Sequence, residues 1–307
     1  MKTKHTGLIV LLIILAGTSF AQQIPQFRHT MFSNYYYNPA FAANPQKPNI
    51  VLNHRSQWVG FDGSPATSSL GGSYLFRDDM AAGLIIMNDK TGANTRNAFS
   101  INYAYLLNIN QDWNLSFGMA WTIMQSKIDG SLIDLYDDTD EVVIENLSDK
   151  VWKPDANVGL LAFNDSYYVG FSVMQLFQSK YRLYENRDSG IQSVRHFFIQ
   201  SGAHIPLGRQ AISVIHPWLN MEIVSGTPFT FELGGLWEYN ESMLAGLSYS
   251  HTDAIALNLG YKYQNLTFIY SYDIVINQMM SAAKGGHEIS IAYNLGSKSG
   301  KQYQPMF

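Results

Sequence analysis

From Ile255 to Tyr263 the odd positions are Ile255, Leu257, Leu259, Tyr261 and Tyr263, while the even ones are Ala256, Asn258, Gly260 and Lys262. Past Gln264 and Asn265 the apolar phase moves to Leu266, Phe268, Tyr270, Tyr272 and Ile274, opposite Thr267, Ser271 and Asp273. A last run sets Ile289, Ile291, Tyr293 and Leu295 against Glu288, Ser290, Ala292 and Asn294. Successive side chains of a strand point to opposite faces, so strict period two predicts strands with one apolar and one polar face. Runs of about ten residues that end in aromatic rings suit strands crossing an outer membrane at a tilt. A soluble sandwich alternates too, so the rest of the chain has to decide between them.

Charged residues make up 14 % of the chain and aromatics another 14 %, against roughly 25 % charged in ordinary globular proteins. After the first 21 residues no segment offers about 18 uninterrupted apolar residues, so no spanning helix is expected. A chain this aromatic and this poor in charge has one remaining way to live in a bilayer: a closed barrel, whose backbone groups all pair with neighbouring strands. The net charge of −4 carries no basic stripe, which argues against a nucleic-acid partner. There is no cysteine, so disulfides, thiolate metal sites and the lipoprotein route are excluded. The opening residues read as a leader. Lys2 and Lys4 precede the apolar run Leu8 to Ala16, and Ser19-Phe20-Ala21 places small residues where a signal peptidase cuts, so cleavage is expected near Ala21.

Residues 22–48 hold four of the ten prolines and the run Asn34-Tyr-Tyr-Tyr-Asn-Pro-Ala-Phe-Ala. Proline at this density excludes a central strand, and the aromatics need something to pack on. The segment is expected to be a periplasmic arm, or one folded back into the barrel mouth. Fourteen strands then follow, at 49–58, 66–76, 79–88, 97–108, 112–123, 155–163, 166–175, 195–206, 209–221, 228–239, 241–251, 254–263, 265–276 and 287–296, with a tail over 297–307. Every connection after an even-numbered strand is short. All the long ones, 59–65, 89–96, 124–154, 176–194 and 277–286, follow odd-numbered strands. Short periplasmic turns and long external loops are the habit of outer-membrane barrels, and a sandwich has no reason to share it. The fold expected is one antiparallel transmembrane β-barrel of about 14 strands over 49–296.

The constellations that might carry chemistry are thin. Lys127 to Lys150 holds eight carboxylates, Asp129, Asp134, Asp137, Asp138, Asp140, Glu141, Glu145 and Asp149. Oxygen-rich loops suit calcium, but the spacing of a calcium-binding helix–loop–helix is absent, and a solvated acidic loop is the favoured reading. His251 and Asp253 meet at an expected rim, a pairing that a surface hydrolase could use. No nucleophile elbow, phosphate-cradling loop or paired-histidine metal motif accompanies them, so neither an enzyme nor a cofactor is expected. Glu232, Glu238, Asp273, Lys262, Glu288 and Arg195 fall on lumen-facing positions, either lining a pore or closing it.

Two stretches carry a resemblance. Gln26-Phe-Arg-His-Thr-Met-Phe-Ser-Asn-Tyr-Tyr-Tyr-Asn-Pro-Ala-Phe-Ala and Asn53-His-Arg-Ser-Gln-Trp-Val-Gly-Phe-Asp-Gly-Ser-Pro-Ala-Thr resemble the PorP/SprF family of outer-membrane proteins of the type IX secretion system in Bacteroidota. The Asn88-Asp-Lys-Thr-Gly92 stretch and the Asn164-to-Phe177 hairpin extend the likeness over almost the whole chain after the leader. The resemblance implies a barrel that helps secrete, or anchors at the cell surface, an adhesin-like cargo protein with a C-terminal domain, in some members for gliding motility. It also implies periplasmic or lipoprotein secretion components as partners, beside outer-membrane lipid. The motif residues Asn38, Pro39, Arg55, Trp58, Gly60, Phe61, Asp62, Gly63 and Pro65 become candidates for partner contact. Trp58 as an interface anchor and Gly60 and Gly63 as turn glycines is the competing reading. A porin or transporter for small hydrophobic or polar solutes is the alternative function.

Overall fold

The computed structural model describes residues 24–44, 50–132, 148–181, 191–208 and 212–295. Fourteen antiparallel strands form one closed sheet: β1 (Ile50–Ser56), β2 (Ala66–Arg77), β3 (Met80–Thr91), β4 (Asn94–Asn108), β5 (Asn114–Asp129), β6 (Ser148–Phe163), β7 (Tyr167–Met174), β8 (His196–Ala203), β9 (Ser213–Val224), β10 (Thr230–Tyr239), β11 (Met243–Ser250), β12 (Ala254–Tyr263), β13 (Leu266–Val275) and β14 (Gly286–Tyr293). Each strand pairs with its neighbours in sequence, and β1 pairs with β14 from Ile50↔Tyr293 to Ser56↔His287, which closes the cylinder. β8 continues past His204 as Ile205–Leu207 along β9. Among the described residues no helix is long and apolar enough to cross a membrane.

The outward faces match the alternation. Ile255, Leu257, Leu259, Tyr261 and Tyr263 of β12 are all exposed, whereas Ala254, Ala256 and Asn258 are buried inside. Tyr239, Tyr261, Tyr263 and Tyr293, at the ends of even-numbered strands, and Tyr167, at the start of β7, are exposed together on one rim, the level at which aromatic rings meet lipid headgroups. Leu259 stands mid-strand and 63 % exposed. Leu259→Arg is therefore expected to destabilise the barrel in vesicles by about 2–4 kcal/mol, and Tyr263→Arg, at the rim, by no more than about 1 kcal/mol. Equal costs in a denaturant titration would show that the outward band does not face hydrocarbon.

The parity of connections holds, but its details change. The expected loop 89–96 is a two-residue hairpin: β3 runs to Thr91 and β4 starts at Asn94. Asp89 accepts from Thr67 at 2.7 Å and pairs with Arg96 at 2.9 Å, so side-chain contacts carry the ladder beyond the apolar band. β5 and β6 reach 16 residues each; at about 3.3 Å per residue they project well past an apolar band about 25 Å tall. β1 is shorter at both ends than the expected 49–58, and β9 starts and ends later than the expected 209–221. The acidic positions from Asp134 to Glu145 lie outside the described residues.

The segment before β1 lies inside the barrel. It forms helix α1 (Thr30–Tyr37) and a 3-10 turn (Pro39–Ala43), and nearly all of its described residues are buried. It is bonded to the inner faces of β1, β5, β7, β9, β13 and β14, strands on every side of the cylinder, so it occupies the lumen. Fourteen strands enclose more space than their own side chains fill. The arm supplies the missing core: Phe27, Met31, Phe32, Tyr37 and Phe41 are each 2 % exposed or less. The strands leave room for it at glycines. A methyl group on Gly118 would collide with the backbone of Pro39 and Ala40, and one on Gly71 with the Tyr35 hydroxyl.

Candidate functional site

The arm is held by buried charge at one end and by packing at the other. Arg28, 1 % exposed, reaches Glu232 at 3.4 Å, Asp273 at 3.0 Å and Asp253. Its backbone N–H donates to Glu288 at 2.6 Å, and that of His29 to the same carboxylate at 3.0 Å. Arg55 of β1 enters from the wall, binding Asp253 at 3.0 Å and Asp273 at 2.8 Å and donating to the carbonyl of Gln26. Gln26 itself donates to Glu222 at 2.6 Å. Two guanidiniums thus stand among four carboxylates, each of which also accepts from or lies against the arm. Asp253, in the β11–β12 connection, shows the balance of forces. Burial would raise its carboxyl, but Arg28 and Arg55, with Gln57 and Trp58 as donors, hold it below the usual aspartate range.

At the other end Asn38 caps the 3-10 turn, accepting from Ala40 N–H at 3.0 Å, and donates to the carbonyls of Leu160 at 3.2 Å and Phe171 at 3.4 Å. Pro39 stands at the first position of that turn, where its fixed φ fits and no N–H is needed. Ser116 donates to the Ala40 carbonyl at 2.8 Å, and Phe41 meets Tyr168 edge-on at 5.4 Å.

The motif after β1 divides in two. Arg55 and Trp58 turn inward: Trp58 Nε1 donates to Asp253 at 3.2 Å from a left-handed backbone (φ +54°) that a tryptophan rarely adopts. The remaining residues shape an outer loop. Gly60 and Gly63 have positive φ, and Pro65 accepts from Gln57 N–H at 2.9 Å. Gly63 accepts from Gly92 N–H at 2.8 Å, while Val59 exchanges backbone bonds with Gly285 and Lys284 at 2.8 and 2.7 Å. Three connections on the long-loop side are thereby joined into one face, on which Phe61 and Asp62 are exposed.

Of the expected lumen charges, Glu232, Glu238, Lys262, Asp273 and Glu288 point inward, and Lys262 bonds Glu238 at 2.6 Å. Arg195 does not: it is exposed and donates to the Leu176 carbonyl at 3.1 Å. His251 and Asp253 are not brought together as a catalytic pair. His251 stacks on Phe229 and Phe231, while Asp253 is spent on the arginines. Among the described residues no group of three or more potential metal ligands forms.

The arm has a direction. Residues 24–28 meet Met174, Glu222 and Asp253, at the ends of odd-numbered strands or just beyond. Ala40 and Phe41 meet Ser116 and Tyr168, at the starts of such strands. By loop parity the first group is external. An epitope inserted directly before Ile24 is therefore expected to be labelled by antibody on intact cells. Labelling only after permeabilisation would reverse the arm or the barrel.

Solved structures with a similar outline are outer-membrane barrels at low identity. A Pseudomonas aeruginosa FadL homologue matches at 11 % identity and a TM-score of 0.49, over 86 % of this chain and 94 % of its own. The Ralstonia pickettii toluene transporter TbuX matches at 11 % and 0.49, over 85 % and 92 %, and the KdgM porin at 10 % and 0.40, over 81 % and 99 %. No curated protein sequence matches the chain. The family model for the type IX secretion system membrane protein PorP/SprF matches residues 19–293. With that span and a lumen-filled fourteen-strand barrel, the chain belongs to the PorP/SprF family of type IX secretion system membrane proteins.

Proposed function

We propose that this barrel is a surface station of type IX secretion, which helps to deliver an adhesin-like cargo protein or keeps it at the cell face, rather than a conduit for solutes. The supporting observation is the arm: the chain's own residues 24–44 cross the lumen and are fixed at both ends. With its lumen filled, a barrel offers partners its two rims. On the external rim the linked connections present Phe61 and Asp62, and these are the motif residues suited to touch cargo. Arg55, Trp58, Asn38 and Pro39 would act behind them by fixing the arm and the loop. The short turns on the other rim suit a periplasmic or lipoprotein component of the secretion machinery. The porin reading is disfavoured because it needs the space that the arm fills.

Deleting the gene is expected to abolish surface retention of at least one type IX cargo. Phe61→Ala combined with Asp62→Ala should reproduce that loss with the barrel still folded. Retention of every cargo in the deletion strain would end this reading.

A further inference from the structure

The arm does not fill the lumen evenly. Between it and the inner faces of β3 to β6 lies a cleft. One wall is the arm, with Ile24, Pro25 and Tyr36. The other is three rows of the sheet. Register sets Ser100, Thr122 and Asp155 level, with Asn102 and Asn157 one row deeper and Met87, Ala98 and Met124 one row further out.

The polar wall is nearly self-satisfied. Asn157 Nδ2 donates to Thr122 at 3.4 Å, Thr122 to Ser100 at 2.9 Å, and Ser100 to Asn102 Oδ1 at 3.1 Å. Asp155 Oδ1 accepts from the N–H groups of Ala156 at 2.8 Å and Phe177 at 3.1 Å. What remains unused is specific. Asn102 Nδ2, Asp155 Oδ2 and Gln175 Oε1 have no partner, although Asn102 and Asp155 are only 1 % and 2 % exposed. Buried polar atoms left in this state are unfavourable, and a ligand group that pairs with them relieves that cost. Asp155 and Gln175 supply acceptors at one side of the cleft. Asn102 supplies a donor two strands away, about 10 Å across the sheet at about 4.8 Å per strand.

Charge narrows the class further. Arg96, which lines the cleft, pairs with Asp89 at 2.9 Å, and Lys153, beside Asp155, contacts Ser193 at 3.4 Å. Among the described residues these two cations and two carboxylates are matched in number, so an ion of either sign would enter without a dedicated counter-charge. We propose that this cleft binds a neutral, elongated amide: apolar in the middle, N–H donors at one end for Asp155 and Gln175, and a carbonyl at the other for Asn102. Short apolar peptide stretches without a terminal charge have this form.

The test uses the full-length protein in lipid nanodiscs and three probes read by saturation-transfer NMR. N-acetyl-Leu-Leu-amide is neutral, Leu-Leu-amide is a cation, and N-acetyl-Leu-Leu is an anion. The neutral probe is expected to bind saturably and at least about tenfold more tightly than either ion, the factor that one lost hydrogen bond represents. Asp155→Ala should weaken the neutral probe about tenfold and narrow the gap to the anion, since the carboxylate that repels the anion is gone. Met124→Trp, or the smaller filler Ala98→Leu, should remove binding. No saturable binding, as a cleft filled by water alone would give, overturns the proposal. So does a wild-type preference for either ion, or undiminished binding in the filled variants.

Discussion

Arg28→Ala is expected to undock the arm and to lower the stability of the barrel by about 3–5 kcal/mol, the range for breaking a buried ion pair by removing one partner. The cost does not lie in the lost attraction alone. Without Arg28, Arg55 is the one arginine left among Glu232, Asp253, Asp273 and Glu288, and the surplus carboxylates sit in a largely buried site. Arg77 gives the contrast. It pairs with Asp79 at 3.6 Å but is 65 % exposed, so Arg77→Ala should change stability by less than about 1 kcal/mol. Thermal unfolding of the purified protein reads both numbers, and protease cutting within residues 24–44 reads release of the arm. If Arg28→Ala melts with the wild type and keeps its arm protected, the charge cluster is not what holds the arm.

The outward half of this molecule was legible because lipid imposes a rule on every second residue. Leu257 and Leu259 had to be apolar whatever the strand packed against, and loop parity followed from the two sides of one membrane. Strand ends were less legible, since nothing in Asn88-Asp-Lys-Thr-Gly92 distinguishes a loop from an extended hairpin until Asp89 finds Thr67 and Arg96. The arm was the hardest part. Its prolines correctly exclude a strand, but α1 lacks a side-chain cap and contains Asn and three consecutive tyrosines. It is helical because it is enclosed, and a helix buried on nearly all sides has no polar stripe to give a period.

The charge cluster was half legible. Alternation places Glu232, Asp273 and Glu288 on the lumen side, and places Arg195 there too, although it points away. The useful signal was the imbalance itself. Inward carboxylates on β10, β13 and β14 outnumber inward cations there, and Arg28 is the only arginine or lysine between residues 22 and 46. A buried carboxylate must be paired or neutralised, so that lone cation belonged with them. Arg55 and Trp58 stood out in the motif, yet their inward orientation depends on a left-handed turn at Trp58 that no local pattern announces.

Deleting residues 24–44 should turn the barrel into a channel. The arm supplies Phe27, Tyr37 and Phe41 to the interior. A cylinder of fourteen strands, between the filled eight-strand barrels and the open sixteen-strand porins, would then hold water. Its wall would carry Glu222, Glu232, Asp273 and Glu288, with Arg55 as the principal opposing charge at that level, so the current should favour cations. Planar-bilayer recordings are expected to show stable openings for the deletion and none of comparable size for the wild type. Gly118→Leu should give a weaker version, because it pushes on the backbone of Pro39 and Ala40 rather than on a movable side chain. Equal currents with and without the arm would mean that the lumen was already open. Cargo retention measured in the same deletion strain then separates the two ways in which a filled barrel can serve secretion. If retention survives in a leaking barrel, partners recognise the external face alone; if it fails while Phe61 and Asp62 remain in place, the arm is what holds that face in its binding shape.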